Sequence, residues 1–213
     1  MIKANGISLS LMYKLNCIVA AITPLLCLLM AVVFNGANPL FMSISGYYIL
    51  MPSRLIFPLL IASCVGLHLW FLSKLTYHRS TASLYWLEIV VFISVCLIAL
   101  APANDYPIHG VIGGVCFSSA FAFMAVHYRR RDDKNIFDFV TIALAGICIL
   151  GMPISFPWVL NWEIMKLVIQ HANPDLIASM LNNHSGWQQF AVFEWTFFYL
   201  FLSYIYRLYH RFN

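Results

Sequence analysis

Six runs of about 20 apolar residues fill most of this 213-residue chain and leave few architectures open. A bilayer core is crossed by roughly 20 consecutive apolar residues in helical form. Each run therefore predicts one transmembrane helix: Leu15–Phe34, Leu55–Lys74, Leu84–Ala101, His109–Tyr128, Phe137–Phe156 and Phe190–Leu208. The runs are long and show no two-residue alternation, so a transmembrane barrel does not fit them. Composition agrees. Hydrophobic residues make up 62% of the chain and charged residues 9%, against roughly 25% charged in a soluble domain, so a water-facing surface cannot be built. The expected fold is all-α: one domain, 1–213, forming a polytopic membrane bundle of six transmembrane helices. Lys3 and Lys14 precede the first run as in a signal peptide. That run is too long for an h-region and no small-residue cleavage site follows, which predicts a retained helix.

Charge placement orients the bundle. With the N terminus in the cytoplasm, the inner segments hold Lys3, Lys14, Lys74, Arg79, Arg129, Arg130, Arg131, Lys134, Arg207 and Arg211, and the outer ones only Arg54 and Lys166. The positive-inside rule then puts both termini in the cytoplasm. A bacterial inner membrane is the expected location, with a eukaryotic endomembrane or plasma membrane as the alternative. Net charge is +4 but its basic residues are scattered among short connections, so nucleic acid is not an expected partner. The run Arg129–Lys134 reads as a topology determinant, with anionic headgroup binding as the functional alternative.

The outer connections differ in length. Asn35–Arg54 carries turn signals, Pro102–Ile108 is tight, and Pro157–Gln189 is longest. In the last, Trp158–Ala172 is apolar around most of a helical wheel, and Asn173-Pro174 is an N-cap followed by a first-turn proline. Two short interfacial helices are expected there. Asn183-His184-Ser185 is a formal glycosylation sequon of little weight by itself.

Ionisable side chains within a span are costly and point to function. An inner pair is His68 and Glu88, each about 10 Å from the cytoplasmic end of its helix at 1.5 Å rise per residue. They could share a hydrogen bond, as a proton relay or headgroup contact, or as a structural tie that fixes helix register. An outer group is Arg54, Asp105, His109 and Glu194. Such a set could hold a phosphate, a metal or an acid–base pair, or simply form a hydrated polar boundary. Ser43 and Ser45 lie on the same side, but no nucleophile motif marks either. No catalytic residue is assigned. Cys17, Cys27, Cys64, Cys96, Cys116 and Cys148 each sit in an apolar run without Cys-x-x-Cys spacing, so no metal site and no cofactor are expected. Gly110, Gly113, Gly114, Ser118, Ser119 and Ala120 suggest close helix packing along the fourth span.

Three local patterns resemble the DRAM-like six-helix family, which includes autophagy modulators, Sfk-type plasma-membrane proteins and a GPI-lipid remodelling protein, and also a related group of bacterial six-helix proteins. They are Ser43-Ile44-Ser45-Gly46 with Pro52, the connection Ala101–Gly110 with its His109, and Phe193-Glu194-Trp195. Gly46-Tyr47-Tyr48 stand where the family usually has an acidic residue and Thr. The resemblance implies lipid handling or membrane organisation and adds Trp195 to the outer group. The seven-helix ceramidase-like hydrolases are not matched: Ser63 and His68 are one residue too far apart for Ser-x-x-x-His, and no His-x-x-x-His occurs.

The expected function is interaction with membrane lipids, through an outer-leaflet polar cluster that recognises a phospholipid or glycolipid headgroup. The alternatives are a lipid-modifying enzyme with His109 as base and Asp105 or Glu194 orienting it, a transporter or channel, or an accessory subunit; a homo-oligomer or a membrane-protein partner fits any of them.

Overall fold

The computed structural model describes residues 3–4, 7–36, 44, 50–74, 82–101, 106–155 and 185–210. Six helices carry the fold: α1 (Leu9–Asn35), α2 (Ser53–Lys74), α3 (Ala82–Leu100), α4 (Tyr106–Arg130), α5 (Ile136–Ser155) and α6 (Ser185–His210). A two-residue antiparallel pair, β1 (Lys3–Ala4) with β2 (Ile7–Ser8), precedes α1. The interfacial helices expected in 157–189 fall almost wholly outside the described residues.

Every expected span coincides with a helix, and most of the helices overrun it. α1 begins at Leu9 rather than Leu15, and α6 begins at Ser185 rather than Phe190. An apolar window ends where polar residues begin, whereas a helix continues until its backbone bonds find a stop. At the far end of α1 that stop is Gly36. It takes a φ of +62° and donates to the Val32 carbonyl at 3.1 Å, the usual left-handed cap. α5 starts at an Asn cap, where Asn135 Oδ1 accepts from the Asp138 amide at 3.0 Å.

Chain neighbours pack on one another, α1 on α2, α2 on α3, α3 on α4, α4 on α5 and α5 on α6, and α6 returns to α1, so the ring closes. α6 also reaches across to α4. At Gly151 of α5 an added Cβ would lie 2.5 Å from the Phe193 ring of α6, so glycine permits the close approach of those two helices. The interior divides into two apolar clusters. One contains Phe71, Val91, Phe123, Met124 and Tyr204. The other contains Cys27, Ala31, Ile44, Phe57 and Ala99.

The outside is apolar as well. Leu15, Ile18, Ile22, Leu25, Leu29 and Val33 form an exposed stripe along α1, and Leu144, Ile147, Leu150 and Ile154 another on α5. Apolar surface of this extent is stable only when covered by something other than water. Four helices are long and apolar enough to cross a membrane: Leu11–Asn35, Ser53–Lys74, Ile108–Arg130 and Ile136–Ser155. Leu84–Leu100 is apolar but shorter. α6 turns Glu194, Tyr204 and Tyr209 toward the interior.

Prolines interrupt three helices, at Pro24, Pro58 and Pro153. Pro24 is fully buried. It removes the amide that would bond the Ala20 carbonyl and loosens the ladder at that turn. Two side chains add bonds beside it: Thr23 Oγ1 donates to the Val19 carbonyl at 2.8 Å and Tyr199 Oη to the Ala21 carbonyl at 3.1 Å.

Candidate functional site

Alternation of the helices brings the starts of α2, α4 and α6 to one end of the bundle, which is called the Arg54 end here. Glu194 is buried, at 3% exposure, and its Oε2 accepts the main-chain N–H of Ile44 at 2.6 Å. Ile44 is itself buried in an apolar cluster against which Trp195 packs. The centres of two short sequence patterns, Ser43-Ile44-Ser45 and Phe193-Glu194-Trp195, are thus joined by one hydrogen bond. Trp195 also stacks on Tyr199, with centroids 6.0 Å apart.

His109 is buried one turn into α4, and its Nδ1 donates to the Ala101 carbonyl at 2.7 Å. That bond orients the ring and makes Nε2 the basic nitrogen of the neutral imidazole. Arg54, in the first turn of α2, has an exposed side chain. Its neighbour Ser53 is buried and donates to the Cys27 carbonyl at 3.2 Å, tying α2 to α1. Ser43, Ser45 and Asp105 lie outside the described residues.

Deeper in the bundle, His68 and Glu88 meet. His68 Nε2 lies 2.9 Å from Glu88 Oε1, and the two side chains are 2% and 0% exposed. Tyr209 Oη donates to the same oxygen at 2.5 Å, so the pair belongs to a three-helix knot. The His68 ring stacks on Phe92 at 3.6 Å. Tyr13 stands beside it, 5.8 Å between ring centroids, and donates to the Ile205 carbonyl. Glu88 Oε2 is buried and accepts no hydrogen bond among the described residues. Tyr209 gives little sequence signal, because a tyrosine in an aromatic run reads as one more apolar residue.

At the opposite, Arg207 end the chain holds a centre that the sequence reading missed. Asp138, 1% exposed, accepts Arg131 Nη1 at 3.0 Å and Arg207 Nε at 2.9 Å. Arg207 Nη2 donates to Thr141 Oγ1 at 2.8 Å. Arg131 also grips Asp133 through Nε at 2.8 Å and Nη2 at 2.6 Å, and that guanidinium holds the Asp133 carboxyl below the usual carboxylate range. His127 Nδ1 lies 2.9 Å from Tyr204 Oη, which donates to the Met124 carbonyl. The available signal is an acid at the second position of a predicted span, with Arg131 and Arg207 on the same inner side.

Among the described residues, no three His, Cys, Asp or Glu side chains group as metal ligands. All six cysteines are free thiols. No protein family, no curated protein and no solved structure matches the chain.

Proposed function

We propose that the chain is a six-span integral membrane protein that engages a phospholipid or glycolipid headgroup at its Arg54 end, on the outer side of the membrane. The observation that carries this reading is the Ile44 N–H bond to Glu194 Oε2. A buried carboxylate that holds one main-chain amide fixes the first connection against α6. In this reading Glu194 is a positioning residue, and the contacts to lipid come from its neighbours. Arg54 offers an exposed guanidinium suited to a phosphate. Ser43 and Ser45, which flank Ile44 in sequence, supply hydroxyls for a polar headgroup, and Trp195 supplies an amphipathic ring suited to headgroup depth. The resemblance to the DRAM-like family points to the same end of the chain.

The test is lipid retention by purified protein. Native mass spectrometry of the wild-type chain is expected to show phospholipid adducts that weaken several-fold in Arg54→Ala. Unchanged adducts in Arg54→Ala and in Glu194→Ala would sink the reading.

The second reading is a lipid-modifying enzyme, and the His109 geometry favours it. With its Nδ1–H given to the Ala101 carbonyl, the neutral ring carries its lone pair on Nε2, the tautomer a general base uses. Turnover of a labelled lipid, lost in His109→Ala, separates it from binding alone.

A further inference from the structure

Between α1, α2, α3, α4 and α6 lies a cavity of about 80 Å³ whose wall includes Asn16, His68, Phe92, Phe197, Phe198 and Phe201. Most of this wall is hydrocarbon. Asn16 is different, and it indicates the chemistry of an occupant. Its Nδ2 donates to the Cys64 carbonyl at 3.0 Å, which sets the plane of the amide and leaves Oδ1 as the acceptor. Oδ1 is buried and has no hydrogen-bond partner among the described residues, an arrangement that folded proteins seldom leave unanswered. A smaller hollow of about 10 Å³ shares Asn16 with the cavity and is bordered by Met12, Leu67 and Trp70. Leu67 and Trp70 belong to the exposed face of α2. Asn16 therefore stands between the cavity and the lipid-facing seam of α1 and α2.

We propose that this cavity binds the hydroxyl end of a long-chain alcohol that enters from the membrane through the α1–α2 seam. The hydroxyl donates to Asn16 Oδ1, its first carbons rest on the phenylalanines, and the chain runs out along the seam. The size is right: about 80 Å³ is the space of two to three liquid waters at roughly 30 Å³ each, enough for a hydroxyl and two methylenes. Water alone fits less well, because each molecule needs two to four polar partners and the named wall is mostly phenylalanine. A charged head fits less well still, since among the described residues the wall holds no carboxylate and no Lys or Arg. The inference does not rest on the headgroup reading of the Arg54 end, which uses other residues.

The experiment is photo-crosslinking of the purified full chain with a diazirine-bearing hexadecanol and the matching diazirine hexadecane, with labelled peptides mapped by mass spectrometry. The expected result is at least about five-fold more labelling of the peptides around Asn16 and His68 by the alcohol than by the alkane. Asn16→Leu, nearly isosteric, is expected to remove that preference while the chain still melts cooperatively. Ala20→Leu, which fills the cavity from α1, is expected to lower labelling by both probes. Equal labelling by the two probes in the wild-type chain, or a preference that persists in Asn16→Leu, overturns the proposal. No labelling of these peptides above background also overturns it and assigns the cavity to water.

Discussion

The buried acids at the two ends of the bundle bond different kinds of partner. At the Arg207 end the acids take side chains: Asp138 bridges two arginines, and one oxygen of Glu88 takes both His68 and Tyr209, while Tyr13 and Tyr204 bond backbone carbonyls beside them. At the Arg54 end the ties run from side chain to backbone: Glu194 to the Ile44 amide, His109 to the Ala101 carbonyl, Ser53 to the Cys27 carbonyl. A charge-to-charge tie leaves a buried ion behind when it is cut. A side-chain-to-backbone tie leaves a loop end loose. The Arg207 end therefore carries stability, and the Arg54 end has an exposed arginine beside its anchors, where the proposed headgroup contact would lie.

The largest effect expected from this contrast is at Asp138. Asp138→Ala leaves Arg131 and Arg207 facing each other without their shared acid, and removing one partner of a buried ion pair costs about 3 kcal/mol. Thermal denaturation in detergent is expected to show a large fall in Tm, with Asp138→Asn between the variant and the wild type. Next comes Glu88→Ala, which strands His68 and Tyr209 in an apolar interior at a cost of about 2 kcal/mol. Glu88→Gln keeps an acceptor and is expected to lose less. If Glu88→Ala melts at the wild-type temperature, the two ends do not differ as described.

Glu194 sharpens the contrast from the other side. Glu194→Ala leaves the buried Ile44 N–H without this acceptor and is expected to cost about 1 kcal/mol or more, and to lower lipid retention. Glu194→Gln, which can still accept the Ile44 amide, is expected to melt and to retain lipid nearly as the wild type does. A lipid defect in Glu194→Gln at unchanged Tm would mean that the carboxylate itself meets the ligand. The smallest effect concerns Asp133, whose carboxyl is held below its usual range by Arg131. A lowered carboxylate pKa stabilises the fold above the unfolded value and loses that contribution as pH falls through the folded one. Asp133→Asn removes that contribution, so it is expected to lower Tm slightly at neutral pH and to flatten its fall below about pH 4.

The helices were legible because hydrocarbon thickness sets a length that the sequence states directly. The meeting of His68 with Glu88 was foreshadowed by depth, since both lie a similar distance from the same end of neighbouring helices. The rest was hidden for physical reasons. Tyr209 and Tyr13 carry a hydroxyl on a ring that hydropathy treats as apolar, so the polar members of the inner knot vanish into their surroundings. Asp138 sits at a helix start, where an acid has an ordinary electrostatic explanation; only the approach of α6 reveals the second arginine. Asn16 is one polar residue in a long apolar run, and nothing in the sequence says whether it faces lipid, a neighbour or a space.

Pro24 divides α1, as Pro58 divides α2 and Pro153 divides α5. With the amide to Ala20 missing, α1 is two levers joined at a soft turn. One lever carries Tyr13 and Asn16, and the other carries Cys27, the acceptor of the Ser53 tie. The two levers meet α2 at separate points, the first through Asn16 and the Cys64 carbonyl, the second through the Cys27 carbonyl and Ser53.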